Sequence, residues 1–414
     1  MRTVIWLLLL AGLAALAATL LGSNDNTVTI YWAPWRLDLS LNFFILLLVL
    51  ALIAGNILLQ GITALAGMPR RAREWRVARR DRTAQAALRD SIAQFFGGRY
   101  GRAHKAAQRA VAIQADTPEL ASDREFTALG HLLAAGSLHR LQDRVRRDEQ
   151  LERALAIAQS AGARAAEEGA QLLAAEWALD DRNARRTLEL LAQLPPGVSR
   201  RTQALRLKLQ AARLAQQPVE ALRTARLLAK HQAFSAAAAQ GLLRALAGEA
   251  IDATRDVDQL KRVWREFETA DRRDVLVAAR AAQHLVALGV PEEARAWLRP
   301  FWDRLAELPA DERRELALAL ARAVEGIGPE WLPRLESALQ AYPGDAAIGY
   351  AVGRAFASRE LWGKARQLLE PAAASADLES GARREAWLLL AAMAERDDDH
   401  ERAGRAFRSA AALP

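Results

Sequence analysis

Two unbroken apolar runs dominate the start of the chain. Val4–Leu21 holds 18 residues without a charge, and Leu41–Leu59 holds 19, with Asn42 and Asn56 as its strongly polar members. About 20 apolar residues, each rising about 1.5 Å, cross a hydrocarbon core of about 30 Å. A helix satisfies its own backbone groups in lipid, where water cannot. The pattern therefore predicts transmembrane helices over about 4–21 and 41–59, joined by a short loop at 22–40. The pattern then changes. Apolar positions recur at i, i+3, i+4 and i+7 on a background of Ala, Leu, Arg, Glu and Gln, all strong helix formers. Pro69 suits the first turn of a new helix. That helix is expected to run to about Phe96, with Trp75, Leu88, Ile92 and Phe95 inward, and to end at Gly97-Gly98. From there to Pro414 no useful strand-like alternation occurs. Breaks such as Asp116-Thr117-Pro118, Pro195-Pro196-Gly197, Gly289-Val290-Pro291 and Tyr342-Pro343-Gly344 predict helices of roughly 12–18 residues with antiparallel neighbours.

Those helices are expected to repeat, the alternative being an irregular helical bundle. Trp387-Leu388-Leu389-Leu390-Ala391-Ala392-Met393-Ala394, followed by Ala403, Phe407 and Ala410, places large and small residues at the offsets of a tetratricopeptide repeat. Small residues let two helices cross closely, and bulky ones fill the gaps between repeats. Gly353, Phe356, Ala365, Leu369 and Ala372 form the same set 38 residues earlier. Weaker copies run through Ala175, Ala184 and Leu188; Leu205, Leu209, Ala212 and Ala221; Ala282, Leu285, Ala294 and Leu298; and Leu318, Ala319, Leu335, Ala338 and Pro343. The expected fold class is thus all-α: two transmembrane helices, then a tetratricopeptide-like superhelix. The expected domains are a membrane hairpin at 1–69, a basic juxtamembrane helix at 70–97 and a repeat array at 98–414.

Charge sets the expected orientation. Arg70, Arg71, Arg73, Arg76, Arg79, Arg80 and Arg82 form a collar after the second run, opposed only by Glu74 and Asp81, a net of +5 out of +8 for the whole chain. Positive segments beside a span stay in the cytoplasm. The collar, the array and both termini are therefore expected there, with the loop at 22–40 translocated to the periplasm. Tyr31, Trp32 and Trp35 in that loop, and Trp6 and Trp75 opposite, suit the headgroup level. A second reading makes Met1–Ala17 a signal peptide cleaved after Ala15-Leu16-Ala17; the large domain stays cytoplasmic in both. After residue 82 there are 48 Lys+Arg against 45 Asp+Glu, which argues against a nucleic-acid face. The collar suits anionic headgroups instead, or serves only as a topology signal. Cysteine is absent, so no disulfide or Cys-zinc site is available.

No catalytic constellation is found. There is no P-loop, no G-x-S-x-G elbow and no H-E-x-x-H among His104, His131, His139, His231, His284 and His400. His131 and His139 share roughly one helical face and are the imaginable haem or metal ligands, but ordinary solvated or groove histidines are by far the commoner use of that spacing. Asp397-Asp398-Asp399 reads as a turn with a helix cap rather than a metal site. Trp264, Trp297, Trp302, Trp331 and Trp362 either pack between helices or line a groove for a porphyrin or peptide.

The order of these parts resembles the HemY family of proteobacterial inner-membrane proteins. The resemblance is carried by Asn26-Thr27-Val28-Thr29-Ile30-Tyr31-Trp32, Arg36-Leu37-Asp38-Leu39-Ser40, the collar, and Phe95-Phe96-Gly97-Gly98-Arg99-Tyr100. It implies an inner-membrane protein beside late porphyrin or haem synthesis, with cytoplasmic haem-synthesis enzymes as partners and no catalytic residues to carry over. An unrelated flavin-dependent oxidase bears the same name. This chain lacks the G-x-G-x-x-G that a flavin site requires, so that activity is not implied. The expected function is a non-enzymatic scaffold without a resident cofactor. A haem- or porphyrin-binding carrier, or a scaffold for another envelope pathway, is the alternative.

Overall fold

The computed structural model describes residues 26–413, apart from the side chains of 63–67 and 69. The first expected span, Val4–Leu21, lies outside the described residues. Over the second, Leu41–Ile62 is a 22-residue stretch of helix with mean hydropathy 2.6, long and apolar enough to cross a membrane and not buried by the described residues.

The expected loop before it holds an element that makes the chain more than all-α. Strands β1 (Thr27–Trp32) and β2 (Trp35–Ser40) pair antiparallel, with Thr27 opposite Ser40 and Trp32 opposite Trp35. The turn is Ala33-Pro34. Ser40 ends β2 and caps helix α1 (Leu41–Phe96), its hydroxyl accepting from the Phe43 N–H at 3.4 Å.

Helix α1 is continuous for 56 residues, about 84 Å at the usual rise. Pro69 therefore opens no new helix, and the separate juxtamembrane helix expected from it is the lower part of the spanning helix. A proline in a helix interior removes one backbone bond and crowds the turn before it; the ladder on either side carries α1 through. The inward face also differs from expectation. Ala84 and Ser91 are buried, whereas Trp75 and Ile92 are 61% and 41% exposed. Positions 84, 88, 91 and 95 share one face, and the small members let the next helix lie close.

That helix is α2 (Tyr100–Ala115), followed by α3 (Arg124–Arg140) and α4 (Arg144–Ala161). With α1 they form the first of two compact units. Its core is mostly alanine: Ala103, Ala107, Ala110, Ala128, Ala135, Ala154 and Ala158 are buried. At Gly130 an added Cβ would lie 2.5 Å from Val111 Cγ2, so α2 and α3 touch at a point only glycine allows.

The second unit begins at Arg164. Its helices are α5 (Arg164–Asp180), α6 (Ala184–Ala192), α7 (Thr202–Leu214), α8 (Pro218–Lys230), α9 (Ala236–Asp252), α10 (Val257–Glu266), α11 (Val275–Ala287), α12 (Pro291–Trp302), α13 (Ala310–Arg322), α14 (Leu332–Ala341), α15 (Ala346–Ser358), α16 (Trp362–Ala374), α17 (Ser380–Arg396) and α18 (His400–Ala411). The first helix of each pair starts 34 to 40 residues after the previous one. These are the repeating hairpins that the large and small positions predicted. Leu205, Leu209, Ala212, Ala221, Ala282, Leu285, Ala294, Leu298, Leu335, Phe356, Ala365, Leu369 and Ala372 are all buried. The register slips at α6, where Thr187 and Leu191 are buried and Leu188 is only half-buried. Phe407, expected as a bulky buried member of the last repeat, is 41% exposed.

Buried polar groups tie neighbouring hairpins together. Arg226 on α8 pairs with Asp271, and with Glu268 at 3.0 Å. Arg244 on α9 reaches Asp274 at 2.7 Å and Glu312 at 2.6 Å, joining three successive hairpins.

Candidate functional site

The arginine collar is the one candidate site in the sequence, and α1 splits it into two faces. Arg73 pairs with Glu119 at 2.8 Å. Arg80 donates to the Asp116 carbonyl at 3.2 Å and to the Thr117 hydroxyl at 3.3 Å. All three partners belong to the loop between α2 and α3, so these two arginines hold that loop against the stalk. The Glu119 carboxyl is held below the usual carboxylate range by its own backbone N–H and then by Arg73. Arg79, Arg80, Thr83, Ile113, Asp116 and Thr117 line a shallow cleft of about 270 Å³ there.

The other face stays open. Arg71, Trp75 and Arg82 are exposed on it at helical spacing, and Arg79, which also borders the cleft, lies between the two faces. The Arg79 guanidinium lies over the Trp75 ring, 5.4 Å from its centre. Arg70 pairs with Glu74 at 2.9 Å, and Arg76 donates to the Ala72 carbonyl at 3.3 Å. Height along α1 then sorts the set. Arg70 lies about 12 Å beyond Ile62 and Arg82 about 30 Å beyond it, at 1.5 Å per residue. Only the lower members are within reach of headgroups if the helix stands along the bilayer normal.

The other candidates are accounted for by packing. His131 Nδ1 lies 2.8 Å from Gln150 Oε1, and His139 Nδ1 lies 3.2 Å from Arg147 Nη1. Each ring is thus engaged across the α3–α4 hairpin. Asp398 takes the left-handed turn conformation, and Asp399 caps α18 by accepting from the Arg402 N–H at 2.9 Å. Asp397 pairs with Arg366 of the previous hairpin. No group of acids and histidines suited to a metal ion occurs among the described residues. Trp264 and Trp297 stack at 4.5 Å between successive hairpins, and Trp302 and Trp331 meet edge to face at 6.5 Å, both nearly buried. Trp362 packs on the core under the Arg396 guanidinium, 4.0 Å from the ring centre. One wall of Trp302 faces an open cleft of about 490 Å³ bordered by Asp303, Arg334 and Tyr342.

The β-hairpin is the element that sequence reasoning missed. Its cross-strand pairs sort by chemistry. Val28–Leu39, Ile30–Leu37 and Trp32–Trp35 share one face, while Thr27–Ser40, Thr29–Asp38 and Tyr31–Arg36 share the other.

These features define a class: a helical-repeat protein whose first array helix extends into a stretch long and apolar enough to cross a membrane. Residues 27–122, which run from β1 through α2 to the Arg73 and Arg80 contacts, match the family described as the HemY protein N-terminus. Over those residues the chain is similar to that family's N-terminal domain; the match does not extend to the helices after residue 122. No curated protein matches it. Among solved structures, a chain in the structure of Naa15/Naa10 bound to HypK-THB is similar at 14% identity, over 79% of this chain and 58% of that one, with a TM-score of 0.23. This chain thus matches little more than half the length of that protein.

Proposed function

We propose that this chain is a membrane-anchored scaffold that works beside porphyrin and haem synthesis through binding rather than catalysis. The HemY match supports the pathway. The single observation that carries the scaffold reading is the continuity of α1, which runs from the apolar stretch through the arginines into the first helical hairpin without a joint. The second unit offers repeated hairpin surfaces to partner proteins, and anchoring them raises a partner's local concentration at the membrane. In this reading there are two spans, the termini and array are cytoplasmic, and the partners are enzymes of late porphyrin synthesis.

Co-isolation tests it. Gently solubilised full-length chain should carry porphyrin-synthesis enzymes with it, and removing residues 1–69 should release those enzymes from the membrane fraction. Enzymes that remain at the membrane in unchanged amount after that deletion would exclude recruitment by this chain.

A further inference from the structure

Among the described residues, nothing covers the apolar face of the β-hairpin. Ile30 is 37% exposed, Leu37 54%, and Trp32 and Trp35 76% and 73%. Val28 and Leu39 complete the same face near the base of the hairpin. The opposite face is polar and internally bonded. The Thr29 hydroxyl donates to Asp38 Oδ1 at 2.6 Å, Arg36 Nε donates to the same oxygen at 3.1 Å, and the Arg36 guanidinium sits over Tyr31. A two-stranded hairpin alone in water is marginal, and an apolar face usually needs a surface to lie on.

The chain itself places that surface. The Leu41 N–H donates to the Asn26 carbonyl at 3.0 Å, so both strands leave from the first turn of α1. That turn is also where the apolar span starts. The hairpin is therefore rooted at the membrane boundary, and strands of this length reach only about 20 Å from it.

We propose that the hairpin lies along the lipid interface, with Val28, Ile30, Trp32, Trp35, Leu37 and Leu39 in the headgroup and upper acyl region and Thr29, Tyr31, Arg36 and Asp38 toward water. The proposal rests on the membrane anchoring argued above. Its consequence is orientational. A lone helix is free to rotate about its axis, whereas a helix with an amphipathic ribbon fixed to one side presents the same side of the stalk, and of the first helical unit, at all times. Tryptophans at the far end of the ribbon suit this role, since their rings prefer the headgroup level.

Cysteine is absent from the chain, so single-cysteine variants can be labelled cleanly. The full-length protein is reconstituted in phosphatidylcholine–phosphatidylglycerol vesicles with an environment-sensitive fluorophore at Ile30→Cys, Leu37→Cys, Thr29→Cys, Arg36→Cys or Leu50→Cys. Quenching by a nitroxide lipid is compared with quenching by aqueous iodide. The proposal expects period-two alternation. Labels at 30 and 37 are blue-shifted and quenched by lipid, with iodide quenching several-fold weaker than at 29 and 36. A label at 50 quenched by lipid, with 30 and 37 as open to iodide as 29 and 36, overturns the proposal and leaves the anchoring intact. A label at 50 open to iodide overturns the anchoring itself. Protection at 30 and 37 that disappears on diluting the protein in lipid assigns the face to a second copy, and overturns the proposal in that way.

Discussion

At the scale of single residues, the informative side chains are polar ones in apolar places. Arg295 on α12 is only 6% exposed. It donates to three carbonyls at the end of α13: Ala323 at 2.7 Å, Glu325 at 2.5 Å and Gly326 at 3.1 Å. Ala323 is the C-cap of α13, and Glu325 and Gly326 lie in the turn just beyond it, where no helix ladder pairs their oxygens. One arginine thus satisfies the end of a helix in the next hairpin. His104 on α2 is the opposite case. It is 9% exposed, and its Nδ1 has no partner among the described residues. Burial pushes its imidazole below the ordinary range; a hydrogen bond to the Ala134 backbone opposes this, Arg146 adds to it, and Asp143 again opposes it. His104 is therefore neutral in the fold at pH values where the unfolded chain already binds a proton. The unfolded state binds more protons below about pH 6.5, so stability of the first unit falls as pH drops through that value. For one proton the slope is at most about 1.4 kcal/mol per pH unit. Hydrogen exchange of α2 and α3, corrected for the intrinsic rate, should rise between pH 7.5 and 5.5. The rise should vanish in His104→Leu. An equal rise in that variant would place the effect elsewhere.

At the scale of elements, the helical hairpin turn is the repeating device. Residues 98, 142, 182, 216, 289, 360 and 398 are the middle members of three-residue turns, and all are left-handed. In each, the N–H of the following residue returns to a carbonyl five positions earlier, as in Asp143 to Leu138, Asn183 to Ala178 and Asp399 to Ala394. This closes the end of one helix, and where the third residue is Asp143, Asn183 or Asp399 its side chain caps the next. Left-handed backbone costs a residue with a Cβ about 1–2 kcal/mol and glycine almost nothing. Glu360→Gly should therefore raise stability by up to about 1 kcal/mol, less glycine's extra freedom when unfolded. Thermal melting of the full chain would read this as a higher midpoint, and an unchanged or lower one would mean the turn is not under conformational cost. The same energetics explain what the sequence conceals. Gly98 and Gly289 announce their turns. Gln142, Gln216 and Glu360 do not, because a cost of that size is met by the hydrogen bonds of the motif. The hairpin array was legible from buried alanines and leucines at fixed spacing. The collar was legible as a run of charge, but not its division, since Glu119 and Thr117 lie in a loop that only the fold brings to α1. The β-hairpin was hidden by brevity: Thr27–Trp32 alternates for six residues, and its aromatic members read equally well as an interfacial loop.

At the scale of the molecule, the question is whether the part beyond the apolar stretch hangs on a tether or stands on a post. Pro69 read as a helix start gives a joint at the collar, and a jointed chain lets the first hairpins settle onto the membrane. A continuous α1 gives a different geometry. Ser91 donates to the Ala103 carbonyl at 2.7 Å, and Arg73 and Arg80 grip the loop after α2, so the first helical hairpin is fastened to the post as well as to its end. In the proposed membrane orientation, Arg70 and Arg71 stand nearest the headgroups, whereas Arg73 and Arg80 are committed to the loop after α2. Ile62 and Phe96 are 54% and 83% exposed and can carry spin labels after replacement by cysteine. In a straight helix they are separated by about 51 Å. Pulsed electron paramagnetic resonance on the reconstituted full chain should give one narrow distance distribution near that value. Inserting Gly-Gly-Ser-Gly after Arg70 should broaden it and draw its centre inward. A broad, short distribution in the unaltered chain would mean that the helix breaks at Pro69. The first hairpins would then be free to reach the bilayer, and the upper arginines would have lipid within range after all.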